Sequence, residues 1–298
     1  MRIGTRGSAL ALAQAMAVAT PLREAGATVE LVTVLTTGDR GERPADKSRW
    51  VAELERAMLD GRIDAAVHSA KDVPAQLAAG LELVAITARE DPRDALCGAR
   101  SIAALPAGAR VGTSSLRRGA QLHAARADLV IVELRGNVDT RLAKLAGGEV
   151  DALVLALAGL RRLGRESAAG GVLDELVPAA GQGALAIEAR AGSSHARSLA
   201  ALADAGATAC VTAERSLTRA LGASCQTAVG AHAHRLAGEG GLLELTGWVG
   251  LPDGSRWIED RLSGAEPEAL GRAVAERMLA VGAGELLAAV AVASETQA

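Results

Sequence analysis

Apolar segments of two kinds alternate along roughly the first two-thirds of the chain. Short runs typical of strands, at residues 2–4, 28–35 and 65–67, are separated by longer segments with helical periodicity at residues 9–25 and 50–60. Strands that alternate with helices in this way are typical of parallel βαβ units. The pattern therefore predicts an α/β fold for this part of the chain.

The pattern changes near residue 205. From there it predicts a helix, three consecutive strands and a second helix, at residues 207–221, 229–235, 242–249, 255–262 and 266–281. Asp253 and Gly254 form a good hairpin-turn signal between the last two strands. A small α+β domain is the prediction for this C-terminal part.

Two segments of the α/β part repeat. The run RIGTRGSAL at residues 2–10 resembles RVGTSSLRR at residues 110–118, and GRIDAAVHSAKD at residues 61–72 lines up with GEVDALVLALAG at residues 148–159. The two copies predict two similar α/β lobes. A cleft between such lobes is a usual place for a small ligand.

A Lys-Asp pair stands out at the end of a strand in the first copy. Val67 is the last clearly apolar strand position, and Pro74 cannot continue a ladder, so Lys71 and Asp72 are predicted on a loop at a carboxyl strand end. In open α/β sheets ligands bind at that edge. An isolated pair of this kind is most often a solvated surface pair, but the second copy has Ala158 and Gly159 instead. The asymmetry favours chemistry in the first copy.

Each lobe also opens with polar and cationic residues at a predicted helix start, where free backbone amides favour anions. An ordinary helix cap with solvated arginines would explain either set alone. Together they predict a polyanionic ligand, either carboxylate or phosphate, although no phosphate-specific glycine fingerprint occurs. The residues at the two openings are Thr5, Arg6, Ser8, Thr113, Ser114, Ser115, Arg117 and Arg118. Arg135, just after a further predicted strand at residues 129–134, and Arg141, one to two turns into the next predicted helix, add to the positive charge.

Composition narrows the choice of partners. Among 298 residues there are three Trp, no Phe and no Tyr, and the net charge is -3, so single-stranded nucleic acid is a poor candidate. No apolar run approaches membrane-spanning length. The three cysteines are scattered without metal-ligand spacing, which predicts a reducing cytoplasm and no metal site. Cys225 lies in a loop of small residues, where it is either an accessible thiol or a small buried hydrophobe.

Seven stretches, in order, carry a resemblance to a known family: TRGSALALAQA, AVHSAKDVP, REDPRDAL, VGTSSLRR, LRGNVDTRL, GQGALAIE and GASCQTAVG. Over nearly its whole length the chain resembles the porphobilinogen deaminases, also called hydroxymethylbilane synthases. The resemblance implies an α/β fold with two periplasmic-binding-protein-like (type II) lobes and a small C-terminal α+β domain. The expected boundaries are residues 1–88 with 184–202, residues 92–180 and residues 205–298.

The resemblance also implies a reaction. Four porphobilinogen molecules would be joined head to tail, with loss of ammonia each time, to give the linear tetrapyrrole hydroxymethylbilane of heme biosynthesis. The cofactor would be a dipyrromethane attached through Cys225, and Asp72 the catalytic carboxylate beside Lys71. The enzyme is expected to be a cytoplasmic monomer.

Further positions of this chain match residues that hold the acetate and propionate side chains in the family. Cofactor contacts are implied for Arg117, Arg118, Arg135, Ser115 and Thr113, substrate-carboxylate contacts for Arg6, Ser8, Arg135, Arg141 and Arg162, and lid positions for Lys47 and Trp50. The lid region departs from the family: where GKGLFVKELE is usual, this chain reads DKSRWVAELE, on a shortened loop. The alternative function is a non-catalytic two-lobe protein that binds small anions.

Overall fold

The computed structural model describes residues 1–34, 48–224, 227–238 and 240–296, without the side chains of 48–50 and 291–296. The chain divides into two compact units. One consists of Met1–Glu90 with Gly183–Thr208, and the other of Asp91–Gln182 with Ala209–Ala298.

The bounds of the elements follow the alternation expected from the sequence. The strands are β1 (Arg2–Thr5), β2 (Glu30–Thr33), β3 (Ala65–Ser69), β4 (Leu81–Ile86), β5 (Asp94–Cys97), β6 (Arg110–Gly112), β7 (Val130–Val132), β8 (Ala152–Ala156), β9 (Gly171–Leu173), β10 (Leu185–Arg190), β11 (Val229–Arg235), β12 (Leu243–Gly250) and β13 (Trp257–Gly264). The helices are α1 (Ala9–Glu24), α2 (Ser48–Leu59), α3 (Leu116–Ala125), α4 (Val138–Ala146), α5 (Leu157–Arg162), α6 (Ser194–Ala200), α7 (Ala205–Ala220), α8 (Pro267–Ala280) and α9 (Ala283–Thr296). Short 3-10 helices occur at Ala70–Asp72, Ile102–Ala104 and Glu166–Ala168.

Lobe one is built on a five-stranded sheet in the order β2-β1-β3-β10-β4. β1 pairs parallel with β2 and β3, while β10 runs antiparallel between β3 and β4. The segment after GQGA therefore returns to the first lobe, as the resemblance implies. Because strand side chains alternate, Val67 packs in the layer under α1, and Ala66 in the layer under α2.

Lobe two repeats this topology with the order β7-β6-β8-β5-β9. β6 pairs parallel with β7 and β8, and β5 takes the antiparallel position that β10 takes in lobe one. The predicted repeat is confirmed in its registers, since Ile3 lies opposite Ala65 in one sheet and Val111 opposite Ala152 in the other.

An ion pair of the same kind joins the two strands at the start of each repeat. Arg2 Nη2 lies 2.7 Å from Asp64 Oδ1, and Arg110 Nη2 lies 2.9 Å from Asp151 Oδ1. In both cases the backbone N–H of the arginine also donates to Oδ2 of the aspartate, at 2.7 Å. The acidic residue that precedes the buried strand therefore links that strand to its parallel neighbour, β1 in lobe one and β6 in lobe two.

The remaining part is the predicted α+β domain, with an antiparallel sheet in the order β11-β12-β13. Its core contains buried residues of α7, α8 and α9, including Leu217, Met278 and Leu286. The predicted fold class is thus confirmed. Helix α9 was not predicted, because its run of small apolar residues lacks a distinct polar face.

In lobe one, Lys71 and Asp72 differ from the prediction because they lie in a 3-10 turn rather than an open loop.

Candidate active site

The end of β3 places Lys71 and Asp72 at the carboxyl edge of the lobe-one sheet. The strand ends at Ser69, and one 3-10 turn follows, in which the Val73 N–H donates to the Ala70 carbonyl at 3.3 Å. Pro74 prevents the turn from growing into a helix because its ring excludes the next intrahelical hydrogen bond. Both charged side chains are half-buried there.

The corresponding place in lobe two is different. Counted from the register partners Ala65 and Ala152, the positions of Lys71 and Asp72 correspond to Ala158 and Gly159. There the chain continues into helix α5, where Ala158 is buried. At this position of the repeat, therefore, lobe one has a carboxylate and lobe two does not.

Arg6 and Ser8 follow β1, which lies next to β3, so they share the carboxyl edge with Asp72. Ser8 caps α1 by accepting the Ala11 N–H at 3.3 Å, as predicted. The buried side chain of Gln14 donates to Ser69 Oγ at 2.7 Å and so ties α1 to the end of β3. Gln14 was not predicted as part of the site, since one polar residue on an apolar helix carries no distinctive signal.

In lobe two the predicted cap is also present. Ser115 precedes α3, and its hydroxyl accepts the Arg118 N–H at 3.5 Å. Thr113 is buried, and its hydroxyl accepts the Ser115 N–H at 3.1 Å. These contacts shape the turn that delivers Arg117 and Arg118 to the beginning of the helix.

Arg117 and Arg118 both bind Asp94, the first residue of β5. Arg117 Nη2 lies 2.7 Å from Oδ2 and Arg118 Nη2 lies 2.7 Å from Oδ1. Gln182 Nε2 also donates to Oδ1, at 2.8 Å. Asp94 is fully buried and was not predicted as a site residue, although it stands in REDPRDAL. An acidic residue at the first position of a short apolar strand is the signal that could have identified it.

The two guanidinium groups also donate to backbone carbonyls. Arg117 Nη1 lies 2.7 Å from the Val177 oxygen, and Arg118 Nη1 lies 3.1 Å from the Val154 oxygen. The Arg117 Nε–H, however, is buried without an acceptor among the described residues. Since buried donors are rarely left unpaired, this N–H is available to an additional acceptor.

The charges of this cluster depend on one another. Burial by itself would raise the pKa of Asp94, but the adjacent Arg117 and Arg118 charges outweigh burial and hold that pKa well below its usual range. One carboxylate faces two arginines, so the cluster keeps an excess positive charge. It can therefore attract a further anion.

Arg135 lies on the segment between β7 and α4, and Arg141 lies in the first turn of α4. Arg141 Nη2 donates to Ser114 Oγ at 3.1 Å, which places it beside the start of α3. Burial, and then the positive charge of Arg118, lower the pKa of Arg141. Arg135 is exposed and pairs with Glu133 at 2.6 Å. Arg162 ends α5 and is half-buried.

Three predicted site positions cannot be placed. Lys47, Cys225 and the side chain of Trp50 lie outside the described part of the structure. Within the described ranges, no cluster of His, Cys, Asp and Glu side chains has the composition to hold a metal ion. In the same ranges, no helix combines the length and the apolar character needed to cross a membrane.

Comparison with solved structures finds periplasmic binding proteins. A substrate-binding protein of an ABC transporter from Coxiella burnetii covers 68% of this chain and 91% of its own, at 15% identity and a TM-score of 0.42. Immunogenic lipoprotein A from Vibrio vulnificus covers 68% and 94%, at 17% identity and the same TM-score.

Comparison with family models and curated proteins is more specific. The model described as "Porphobilinogen deaminase, dipyromethane cofactor binding domain" matches residues 1–198, and "Porphobilinogen deaminase, C-terminal domain" matches residues 208–280. Porphobilinogen deaminase of Roseiflexus sp. (strain RS-1) is 48% identical over 300 residues, which is 96% of this chain and 98% of the relative. That of Sorangium cellulosum is 51% identical over 277 residues, covering 88% and 91%. The chain belongs to the porphobilinogen deaminase family.

Proposed function

We propose that this member of the family uses Asp72 as its catalytic carboxylate and Cys225 as the attachment point of its cofactor. Family membership supplies the reaction: the chain is a transferase, a hydroxymethylbilane synthase of tetrapyrrole biosynthesis. It condenses four porphobilinogen units with loss of ammonia. The cofactor is dipyrromethane. The observation that carries the assignment of Asp72 is its place at the strand edge of lobe one, where lobe two has Gly159.

The condensation of porphobilinogen requires one fixed negative charge next to the reacting pyrrole. Loss of ammonia from porphobilinogen leaves a methylene pyrrolenine cation, and a nearby ionised carboxylate stabilises that positive charge as it develops. The same carboxylate accepts hydrogen bonds from pyrrole N–H groups and so orients the ring. Asp72 is held on a one-turn helix between β3 and Pro74, which limits its movement. Lys71, its neighbour, adds a positive charge to the same turn.

The arginines of lobe two fit a dipyrromethane, which carries acetate and propionate carboxylates. The unpaired buried Nε–H of Arg117 can donate to an additional acceptor, and the mutual repulsion of Arg118 and Arg141 decreases when an anion binds between them. We assign the cofactor carboxylates to Arg117, Arg118 and Arg135, with Thr113 and Ser115 as polar partners. When bound, the group supplies the pyrrole carbon to which the first substrate is added.

Substrate carboxylates are assigned to Arg6, Ser8, Arg135, Arg141 and Arg162. Each porphobilinogen brings two carboxylates, so a growing product requires more cationic contacts than one cofactor does. Arg141 is suited to this role because its guanidinium is already fixed by Ser114 and Gly136. Lys47 and Trp50 are retained as predicted lid residues.

Mass spectrometry of the denatured protein tests the cofactor assignment. Protein purified from cells that make porphobilinogen should carry an adduct of two condensed porphobilinogen units, and Cys225→Ala should lose it. Cys210→Ala is a suitable control, since Cys210 is buried in the core of the C-terminal domain. An adduct that survives in Cys225→Ala, or unmodified wild-type protein, contradicts the assignment.

The remaining predictions concern organisation and surroundings. We propose three domains, at residues 1–88 with 184–202, 92–180 and 205–298, and a monomer in the cytoplasm that does not bind nucleic acid. Support for the compartment comes from Cys97 and Cys210, which are both buried and have no disulfide-framework spacing. Size-exclusion chromatography with light scattering tests the monomer.

A further inference from the structure

A buried group of three titratable side chains lies in lobe one, apart from the residues assigned above. His68 on β3 and Glu188 on β10 are 5% and 0% exposed, and His68 Nε2 lies 2.9 Å from Glu188 Oε2. Their strands are paired antiparallel, with Ala186 opposite His68 and Glu188 opposite Ala66. Both side chains therefore point to the sheet face covered by α2.

Glu55 completes the group from α2. It is 9% exposed, and its Oε1 accepts the Ala78 N–H at 3.0 Å. Ala78 lies on the segment that leaves Asp72 and leads to β4. Glu55 thus connects α2 with the segment that follows the proposed catalytic residue, while His68 belongs to the strand that leads into it.

Two observations indicate that Glu55 carries a proton. Its pKa is raised, first by burial and then by the negative charge of Glu188, against the opposing effects of the Ala78 N–H and His68. Independently, Glu188 Oε1 is buried and has no hydrogen-bond partner among the described residues. A buried carboxylate oxygen needs a donor, and a protonated Glu55 is the adjacent group that can provide one.

Few other titratable groups lie near the Glu55 carboxyl. The titratable groups that influence Glu55 are His68 from β3 and Glu188 from β10. The remaining buried residues of this layer are apolar, namely Val34, Leu54, Ala57, Met58, Ile63, Ala66 and Leu81. In such a layer two adjacent ionised carboxylates would repel each other strongly.

We propose that Glu55 is a positioning residue that remains protonated in the folded enzyme, donates its proton to Glu188 and accepts the Ala78 N–H. In this arrangement Glu188 Oε2 keeps its hydrogen bond with His68 Nε2, and Glu55 links these two side chains to the segment behind Asp72. The role in turnover rests on the proposed function of Asp72. The protonation state of Glu55 does not, so the two claims are tested separately.

The protonation claim has a defined pH signature. A carboxyl whose folded pKa is raised contributes stability that is fully present below its unfolded pKa, about 4.3, and is lost as the pH rises through the folded value. Glutamine at position 55 keeps a donor for Glu188 and an acceptor for Ala78, but it cannot ionise. Relative to wild type, Glu55→Gln should therefore gain stability as the pH rises.

The experiment compares the midpoint of thermal unfolding, Tm, of wild type, Glu55→Gln and Glu55→Ala between about pH 4.5 and pH 8. Glu24→Gln is the matched control, because it makes the same charge change at an exposed position. We expect the Tm difference between Glu55→Gln and wild type to increase with pH, and the control to follow wild type. A constant difference across this range overturns the protonated state.

Turnover then tests the positioning role at equal cofactor loading, checked by mass. Glu55→Ala should lower kcat about tenfold to a hundredfold with a smaller change in KM, because the segment behind Asp72 is no longer held. Glu55→Gln should stay within about twofold of wild type. If Glu55→Gln is as impaired as Glu55→Ala, the positioning role is wrong. An active Asp72→Asn would instead refute the proposed catalytic function and leave the Tm result standing.

Discussion

Arg117 and Asp94 form an ion pair in the interior of lobe two, with Nη2 and Oδ2 2.7 Å apart and exposures of only 4% and 0%. Arg118 binds the other oxygen of the same carboxylate. The two arginines that are proposed to hold the cofactor carboxylates are thus fixed by a single buried carboxylate, that of Asp94. The arrangement orients both guanidinium groups before any ligand arrives, which lowers the cost of binding.

Arg117→Leu should therefore destabilise the protein as well as weaken ligand binding. Removing one partner leaves the buried Asp94 charge partly uncompensated, which typically costs about 3–5 kcal/mol. Urea unfolding measures the change in the free energy of unfolding. Arg110→Leu removes an exposed pair with Asp151 and should have a much smaller effect. Equal stabilities of the two variants would contradict the structural role of Arg117.

Acid unfolding should depend on Asp94. Because its folded pKa is depressed, the Asp94 carboxylate contributes stability above its unfolded pKa of about 3.9 and loses that contribution as the pH falls toward the folded value. Asp94→Asn should be less stable than wild type at neutral pH, and the gap should narrow below about pH 4. The exposed Asp174→Asn serves as control. A gap that does not change with pH would show that Asp94 is not ionised in the folded protein.

Asp72→Asn should abolish most turnover without unfolding the protein. The amide keeps the shape of the side chain but removes the negative charge, and losing one such electrostatic contact costs on the order of a hundredfold to a thousandfold in kcat. Steady-state kinetics on porphobilinogen measures this, with the exposed Asp60→Asn as control. Circular dichroism should be unchanged, since Asp72 is only half-buried. Wild-type kcat in Asp72→Asn would refute its role.

Trp248→Ala should weaken the packing between lobe two and the C-terminal domain. Trp248 is 3% exposed and contacts Ala120 of α3, together with Val177 and Ala228. Truncating a buried tryptophan costs about 3–5 kcal/mol, which denaturant unfolding would report. Trp257→Ala removes a half-exposed ring from β13 and should cost far less. Equal decreases in the free energy of unfolding of the two variants would contradict a stabilising role for the Trp248 contacts.

Much of the fold follows from local patterns. Ser8 and Ser115 were predicted as the polar starts of helices, and each caps its helix. The repeat at residues 61–72 and 148–159 could be recognised because both copies place an acidic residue before a buried strand. In the structure these residues, Asp64 and Asp151, make equivalent ion pairs. Such signals depend on neighbours along the chain, so they are visible without tertiary information.

Hydrogen bonds and ion pairs between residues far apart in the sequence could not be predicted from such local patterns. The arginines of α3 were predicted as ligand contacts, but both bind Asp94, to which Gln182 also donates. These residues lie on three separate segments that only the folded chain brings together. Glu55, His68 and Glu188 likewise lie on three elements that the antiparallel return of β10 makes adjacent. A buried charge looks like any surface charge in a sequence until its burial and partner are known.

The sequence by itself determined the alternation of strands and helices, the two-lobed repeat, the family and the Lys71–Asp72 pair at a strand end. These features depend on periodicity, turn chemistry and motif order, which are local properties of the chain. Tertiary structure alone decided that Asp72 stands on a single 3-10 turn while the matching residues in lobe two continue into a helix. It also decided which charges are buried together, because burial and pairing arise only when distant segments pack and exclude water.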